Sequence, residues 1–447
     1  MDLADQAWRQ AVKLEPRNSE LMLQIGHQCQ SLRQPQTARI WFEQAAAADP
    51  AAINPRIGLA ILLEQNHRFA EARTVIESCL AIDRGDEQAR YFAAFLDRRE
   101  NKIEDAERQL RDLLAGEPRH QYVQYASRYE LAEILNRTGR FDEAMQLLLE
   151  AKNLQRRLGN IEALLQEYDQ GAGQYRRSTL ELPKNILRTW AREFPERVRE
   201  PVPQLAFLGG HPRSGTTLLE QILGAHSDVV ALDEPNAFTM VACKLFNASP
   251  QLSAARLNFI RRRYLESIQK EWGGRFDGKL LLDKNPSPTA RLRIWLRLFP
   301  ELRVIIALRD PRDVVISCYF QNILLNVINV NFLSLERTAH HYANLMDIWL
   351  AARQWEGLDW TETRYEDIVA NIEKEGRRVT EFLGLAWDQA QTRFHEKSSK
   401  KQMYSPTYHD ASQPVYTRAV ARWRAYEKYL APIMPMLEPY CRALGYS

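Results

Sequence analysis

The stretch Leu205–Leu223, L-A-F-L-G-G-H-P-R-S-G-T-T-L-L-E-Q-I-L, decides how the second half of this chain is read. Leu205 to Leu208 is an apolar run short enough for a buried strand. A turn-rich loop follows from Gly209 to Gly215, with three glycines, one proline and Arg213. Thr216 to Leu223 then carries apolar residues at helical spacing, with hydroxyls at its start suited to capping. Strand, glycine-bearing loop and helix build an anion cradle. Backbone N–H groups and the positive end of the helix dipole meet at one spot, and Arg213 adds a full charge there.

Gly210 and Gly215 have the spacing of the nucleotide P-loop G-x-x-x-x-G-K-[ST], but Thr216 stands at the lysine position and Thr217 at the hydroxyl position. The cation has moved into the loop as Arg213. That predicts a phosphate-type ligand held without the NTPase lysine.

Further strand-to-helix junctions follow. Val229 to Leu232 ends on Asp233-Glu234-Pro235, and Gly278 to Leu282 ends on Asp283-Lys284-Asn285-Pro286. Arg303 to Leu308 ends on Arg309-Asp310-Pro311, where Asp310 and Pro311 make a good helix start, and Thr361 to Arg364 leads into Tyr365-Glu366-Asp367. Helices are expected at Phe238 to Phe246, Ala254 to Trp272 and Pro288 to Phe299. Strands alternating with helices predict a parallel sheet covered on both faces, with the ligand at the carboxyl ends of the strands. Arg213, Glu234, Lys284 and Arg309 all lie just past such ends. Three cations and one carboxylate at a shared rim suit transfer of an anionic group. Glu234 is the candidate to take a proton from an acceptor hydroxyl, and Lys284 the candidate to steady charge on the leaving side. The bland alternatives are a helix cap for Glu234, a surface pairing of Lys284 with Asp233 or Asp283, and an ion pair of Arg309 with Asp310 or Asp313.

The first part of the chain repeats. Ala38, Phe42, Ala45 and Pro50 recur 34 residues later as Ala72, Ile76, Cys79 and Arg84, and again as Ala106, Leu110, Leu113 and Pro118. A fourth turn, Ala144, Leu148 and Ala151, comes four residues late after an insertion near 119–127. The period and its small–bulky–small pattern resemble the tetratricopeptide (TPR) repeat, a stack of antiparallel helix pairs with a groove suited to a peptide. Residues 154 to about 182 continue a helical pattern that fits a capping helix, with a break expected at Gly171-Ala172-Gly173. Residues 171–203, with Pro183, Pro195, Pro201 and Pro203, read as a linker containing one short helix. The expected domains are thus 1–170, a TPR-like helical array, and 204–447, an α/β P-loop-like parallel-sheet domain.

A formal net charge of +3 is too small to imply a nucleic-acid partner. Residues 1–150 hold 19 Lys+Arg against 24 Asp+Glu, so the positive surplus lies with the second part. Five scattered cysteines without a C-x-x-C suggest neither a disulfide framework nor a zinc site. The opening M-D-L-A-D-Q-A-W lacks the basic and apolar regions of a signal peptide, and no apolar run reaches membrane-spanning length. The expected location is cytoplasmic, with no metal and no membrane span. Oligomeric state is left open.

The second domain resembles the sulfotransferases that use 3′-phosphoadenosine 5′-phosphosulfate (PAPS), over roughly residues 204–430. Pro212-Arg213-Ser214-Gly215-Thr216-Thr217-Leu218 looks like their 5′-phosphosulfate motif. Arg309 to Ser317 looks like their 3′-phosphate motif, with Arg309 and Ser317 eight apart. The resemblance is closest to the tyrosylprotein sulfotransferases: Glu234 falls on their general base and Lys284 on their catalytic lysine. Tyr365 resembles a cofactor-contacting tyrosine, and Ser398 to Tyr416, followed by Ala421-Arg422-Trp423, resembles the C-terminal loop that closes over the nucleotide. Departures are Gln413 and Gln321 where the family has basic residues, and the absence of a membrane anchor and disulfides. No histidine aligns with the catalytic one of small-molecule sulfotransferases, and His211 reads as a packing or turn residue. The resemblance implies sulfuryl transfer from PAPS to a hydroxyl of protein tyrosine, carbohydrate or lipid, leaving adenosine 3′,5′-bisphosphate. It also implies catalytic roles for Glu234, Lys284 and Arg213. A P-loop kinase, or a TPR scaffold over an inactive nucleotide pocket, are the competing readings.

Overall fold

The computed structural model describes residues 2–32, 34–249, 252–276, 278–398 and 417–446. The chain divides into two compact units, Met1–Leu158 and Gly159–Ser447.

The first unit is helical throughout its described residues: α1 (Asp2–Leu14), α2 (Ser19–Ser31), α3 (Pro35–Ala48), α4 (Asn54–Gln65), α5 (Phe69–Ile82), α6 (Glu87–Arg99), α7 (Ile103–Ala115), α8 (Gln121–Arg137) and α9 (Phe141–Leu158). From α2 onward consecutive helices pack in pairs. The repeat positions explain the pairing. Ala38, Phe42 and Ala45, Ala72, Ile76 and Cys79, Ala106, Leu110 and Leu113, and Ala144, Leu148 and Ala151 are all buried, none more than 2% exposed. Small residues let the backbones approach, and the bulky one fills the gap between pairs. At Phe42 the fit is tightest: a Cβ at Gly26 would stand 2.4 Å from its ring and one at Gly58 2.9 Å, so neither glycine has room for a side chain. Asn18 and Asp86 cap α2 and α6, accepting the N–H groups of Leu21 and Ala89 at 2.8 and 2.7 Å. The expected late repeat shows as a lengthened α8.

The second unit begins with α10 (Ile161–Leu180), which corrects the expected helix break. It runs unbroken through Gly171-Ala172-Gly173, and it packs on α17 (Leu335–Ala352). Tertiary contacts outweigh the two glycines. Arg176 pairs with Asp347 at 2.7 Å, Arg337 bonds Asp169 at 2.6 Å, and Tyr168 lies against His341. The two compact units divide between Leu158 and Gly159, and the stretch 171–203 holds the rest of α10 and α11 (Ile186–Glu193).

Five parallel strands form the sheet: β1 (Leu205–Gly210), β2 (Val229–Asp233), β3 (Leu280–Lys284), β4 (Arg303–Leu308) and β5 (Trp360–Arg364), in the order β2-β3-β1-β4-β5. Strands β1 to β4 are almost wholly buried, and β5 alternates buried and half-buried positions as an edge strand does. On one face Leu208, Ala231, Leu282 and Ile305 pack with α12 (Thr216–Gly224) and α19 (Ile372–Phe382). On the other, Phe207 meets Trp295 of α15 (Leu292–Leu298), and Tyr264 of α14 (Ala254–Trp272) reaches Asp283. The expected helix from Pro288 is a 3-10 turn, Ser287–Arg291, followed by α15, and the one from Phe238 opens as a π-helical turn, Phe238–Cys243, followed by α13 (Lys244–Asn247). The chain leaves β1 toward β3 and β2 but leaves β4 toward β5. That reversal opens a crevice at the carboxyl ends of β1 and β4, where open α/β sheets bind ligands.

Candidate active site

Strand β1 extends through Gly209 and Gly210, so the loop proper is 211–215. Its backbone is constrained. Gly210 (φ +127°) and Gly215 (φ +87°) hold conformations that L side chains rarely adopt, and Arg213 takes φ +75° despite its Cβ. A Cβ on Gly210 would stand 2.3 Å from the Ala307 carbonyl oxygen, and one on Gly215 2.7 Å from the Tyr365 ring. The helix start differs from the sequence reading in an informative way. Gly215 occupies the N-cap of α12 and no side chain caps it, so Thr216 and Thr217 lie inside the first turn instead. The N–H groups of a helix's first turn are the donors an anion needs. Ser214, Thr216 and Thr217 are buried beside them, and Leu218 packs partly on the core. His211 is buried, as expected of a packing residue. One ring nitrogen lies 2.7 Å from the Pro212 carbonyl and the other 2.7 Å from His341 Nδ1. Burial pushes its pKa down to about 4, partly opposed by the Pro212 carbonyl.

The site residues join in two groups. In the first, Arg213 Nε donates to Ser317 Oγ at 3.1 Å, which brings the loop and α16 (Pro311–Tyr319) together. Arg309 Nη1 donates to the Arg213 carbonyl at 3.2 Å, Nη2 donates to the Ala419 carbonyl, and its guanidinium lies 4.9 Å from the Tyr365 ring centroid. Tyr365 opens α18 (Tyr365–Ala370) and is thus wedged between Arg309 and Gly215. Asp310 caps α16 with Pro311 in the first turn, and its carboxylate holds Arg312 rather than Arg309. Arg309 approaches Asp313 only to 3.8 Å, and among the described residues its buried Nε has no acceptor. A buried guanidinium N–H without a partner costs free energy, and an anion there would satisfy it.

In the second group, the wholly buried Lys284 ammonium donates to Asp233 and, at 3.1 Å, to Glu234 Oε1. Burial works against its charge, but Asp233, Glu234 and Glu220 outweigh that and raise its pKa, so the group stays ammonium. The expected pairing with Asp233 exists, therefore, but in the interior rather than at the surface. Glu234 takes φ +51° and its N–H donates to the Lys284 carbonyl at 2.7 Å. Its carboxylate side chain is about a third exposed, at 31%. It caps no helix: the π-helical turn that follows starts from Ala237 without a side-chain cap, anchored by Phe238 stacked on Trp295 at 3.6 Å. The backbone registers Leu208 with Lys284 and Gly210 with Ala307, so the two groups end adjacent strands. The sequence offered Asp233 only as a surface partner of Lys284 and Asp313 only as an ion-pair partner of Arg309, and it did not mark His341. Their partners lie about 50 to 130 residues away, and no local pattern marks them. The expected closing stretch 399–416, with Gln413, lies outside the described residues.

Among the described residues no cluster of candidate metal ligands occurs, and no helix is long and apolar enough to cross a membrane. Residues 204–389 match the family model described as "Sulfotransferase family", and residues 125–169 match "Tetratricopeptide repeat". An uncharacterized protein of Aquifex aeolicus is 26% identical over 330 residues, covering 69% of this chain and 41% of its own length. The chain thus spans less than half of that relative. Protein-tyrosine sulfotransferase A of Caenorhabditis elegans is 26% identical over 269 residues, covering 54% of this chain and 67% of its own. A sulfotransferase domain from the Synechococcus PCC 7002 olefin synthase aligns with a TM-score of 0.38 at 18% identity, over 52% of this chain and 90% of that one. In one chain, residues 204–389 thus carry a match to the sulfotransferase family and residues 125–169 a match to the tetratricopeptide repeat.

Proposed function

We propose that the chain is a PAPS-dependent sulfotransferase that moves a sulfuryl group to an acceptor hydroxyl, with Glu234 as general base. The observation that carries this reading is the pairing of a partly exposed Glu234 with a buried, charged Lys284, one strand from the glycine-bearing loop that opens α12. The residues present fit the nucleotide. The buried Arg309 Nε needs an acceptor, and the loop leaves no space even for a methyl at Gly210 or Gly215. Bound PAPS would supply the sulfuryl group, activated as a phosphosulfate anhydride. The N–H groups of the first turn, with Arg213, Ser214, Gly215, Thr216, Thr217 and Leu218, would hold its 5′ side. Arg309 and Ser317 would hold the 3′-phosphate, and Tyr365 would flank the nucleotide.

Each protein group then has a task suited to its state. Glu234 reaches solvent and accepts the acceptor's proton. Lys284, kept charged by its carboxylates, serves as fixed positive charge rather than as a proton donor. Arg213 adds charge from the loop, its side chain steadied by Ser317. The favoured acceptor is a tyrosine of a peptide or protein, supported by the relatives named protein-tyrosine sulfotransferase and by the repeats, whose groove would hold it. A cytoplasmic site of action is supported by five buried cysteine thiols, none in a disulfide.

Thermal unfolding with nucleotides tests the cofactor. Adenosine 3′,5′-bisphosphate should raise the melting temperature more than ATP with magnesium, because a ligand stabilises the native state it binds and ATP lacks a 3′-phosphate. Equal shifts would count against the sulfotransferase reading, and a larger, magnesium-dependent shift with ATP would favour a kinase.

A further inference from the structure

The segment at residues 417–426 is tied to the helix that carries the 3′-phosphate motif, and one carboxylate does most of the tying. Asp313 lies in the first turn of α16 with its side chain wholly buried. Its Oδ2 accepts the N–H of Ala421 at 2.8 Å and its Oδ1 the N–H of Trp423 at 2.7 Å. Ala421 sits between these two bonds at φ +54°, a left-handed conformation that a non-glycine residue holds only when its surroundings impose it. Hydrogen bonds to an ionised carboxylate are of the strong kind and are able to impose it. Two stacks reinforce the attachment: Arg312 lies 3.9 Å from the Trp423 ring centroid, and Arg422 lies 3.9 Å from that of Phe320.

The attachment bears on Arg309. One of its terminal nitrogens bonds the Arg213 carbonyl in the loop, and the other bonds the carbonyl of Ala419, two residues before Ala421. The aim of the guanidinium is therefore set partly by a backbone atom of the pinned segment. Asp313 stays close enough to Arg309, at 3.8 Å, to offset some of its charge in the absence of an anion.

We propose that Asp313 is a positioning residue for the nucleotide site: it pins residues 419–423 to α16, and the Ala419 carbonyl so placed holds Arg309 with its Nε available to a 3′-phosphate. This rests on reading Arg309 as the 3′-phosphate ligand. A carboxylate that only stabilised the fold would not distinguish one nucleotide from another.

The test uses the full chain with Asp313→Asn, which puts an NH2 donor against one of the two backbone N–H groups, and Trp423→Ala, which loosens the segment while keeping the carboxylate. Hydrogen exchange of the peptide spanning 417–426 is measured without ligand, and titration calorimetry compares adenosine 3′,5′-bisphosphate with adenosine 5′-monophosphate. We expect faster exchange in both variants. Bisphosphate affinity should fall by about tenfold or more, the worth of one hydrogen bond to a charged group, with monophosphate affinity nearly unchanged. Should Asp313→Asn fail to fold, Trp423→Ala carries the same expectation. A folded variant that retains the wild-type preference for the bisphosphate overturns the proposal, as does loss of affinity for both nucleotides alike. A wild-type chain that does not prefer the bisphosphate overturns the 3′-phosphate reading itself, and the proposal with it.

Discussion

Asp283 offers a quantitative check on the interior of the sheet. It immediately precedes Lys284 on β3 but faces the opposite side, where Tyr264 donates to its Oδ2 at 2.8 Å and its Oδ1 is buried with no partner among the described residues. Burial raises its pKa to about 7 from an ordinary 3.8, against the lowering effects of Tyr264 and Lys284. Between those two values the folded chain binds a proton that the unfolded chain has lost. Stability therefore falls as pH rises through that window and is flat above it. At 1.36 kcal/mol per pH unit, the full loss by pH 8 is about 4 kcal/mol. Asn at this position keeps the shape and the acceptor for Tyr264 and has no charge to bury. Relative to wild type, Asp283→Asn should gain about 3 kcal/mol between pH 4.5 and pH 8, since part of the loss is already present at the lower value. Urea unfolding at both pH values, followed by hydrogen exchange of the β3 peptide, isolates the second unit's transition from that of the repeats. A stability difference that does not change with pH would refute the argument.

Other expectations concern the site. Glu234→Gln should lower turnover at least ~10²-fold while nucleotide affinity stays near wild type, as steady-state kinetics and calorimetry would read. Lys284→Met should lose activity as well but should also destabilise the fold by about 3–5 kcal/mol, because Asp233 is left buried without its cation. Chemical denaturation separates the two effects, and an undiminished stability would show that Asp233 does not depend on the lysine. Arg309→Ala should raise the cofactor KM with a smaller effect on saturated turnover, as for a group that holds ground and transition states alike. An unchanged KM would remove the 3′-phosphate assignment.

Much of the second unit was legible because its signals are local. Apolar runs ending on charged residues marked β1 to β4, the strand-to-helix junction at Thr361 to Asp367 marked β5, and Asp310-Pro311 marked the start of α16. In the first unit, spacing alone identified the residues buried between helices, since a repeat restates the same packing problem every 34 residues. What sequence could not supply is long-range. The glycines at 171 and 173 signal a break, yet α10 continues because Arg176, Tyr168 and Asp169 find partners more than 160 residues away. Thr216 and Thr217 look like caps, yet the cap is Gly215, because only a residue tolerant of φ +87° and free of a Cβ fits against Tyr365. Lys284 and Asp233 could be paired from sequence only as a surface alternative; their burial together is not legible there, because Asp233 looks like any strand-end acid.

The most direct test of the account is transfer itself. The purified full chain is incubated with sulfur-labelled PAPS and a panel of tyrosine-containing peptides, with cell lysate as a second source of acceptors, and label is followed into protein, glycan and lipid fractions. The account predicts label in an acceptor with the wild-type chain, in protein on tyrosine if the favoured acceptor is right, and a signal at least ~10²-fold lower with Glu234→Gln. Label confined to glycan or lipid would change the acceptor and keep the enzyme. No label in any fraction, or equal label from the Glu234→Gln chain, would contradict the central claim.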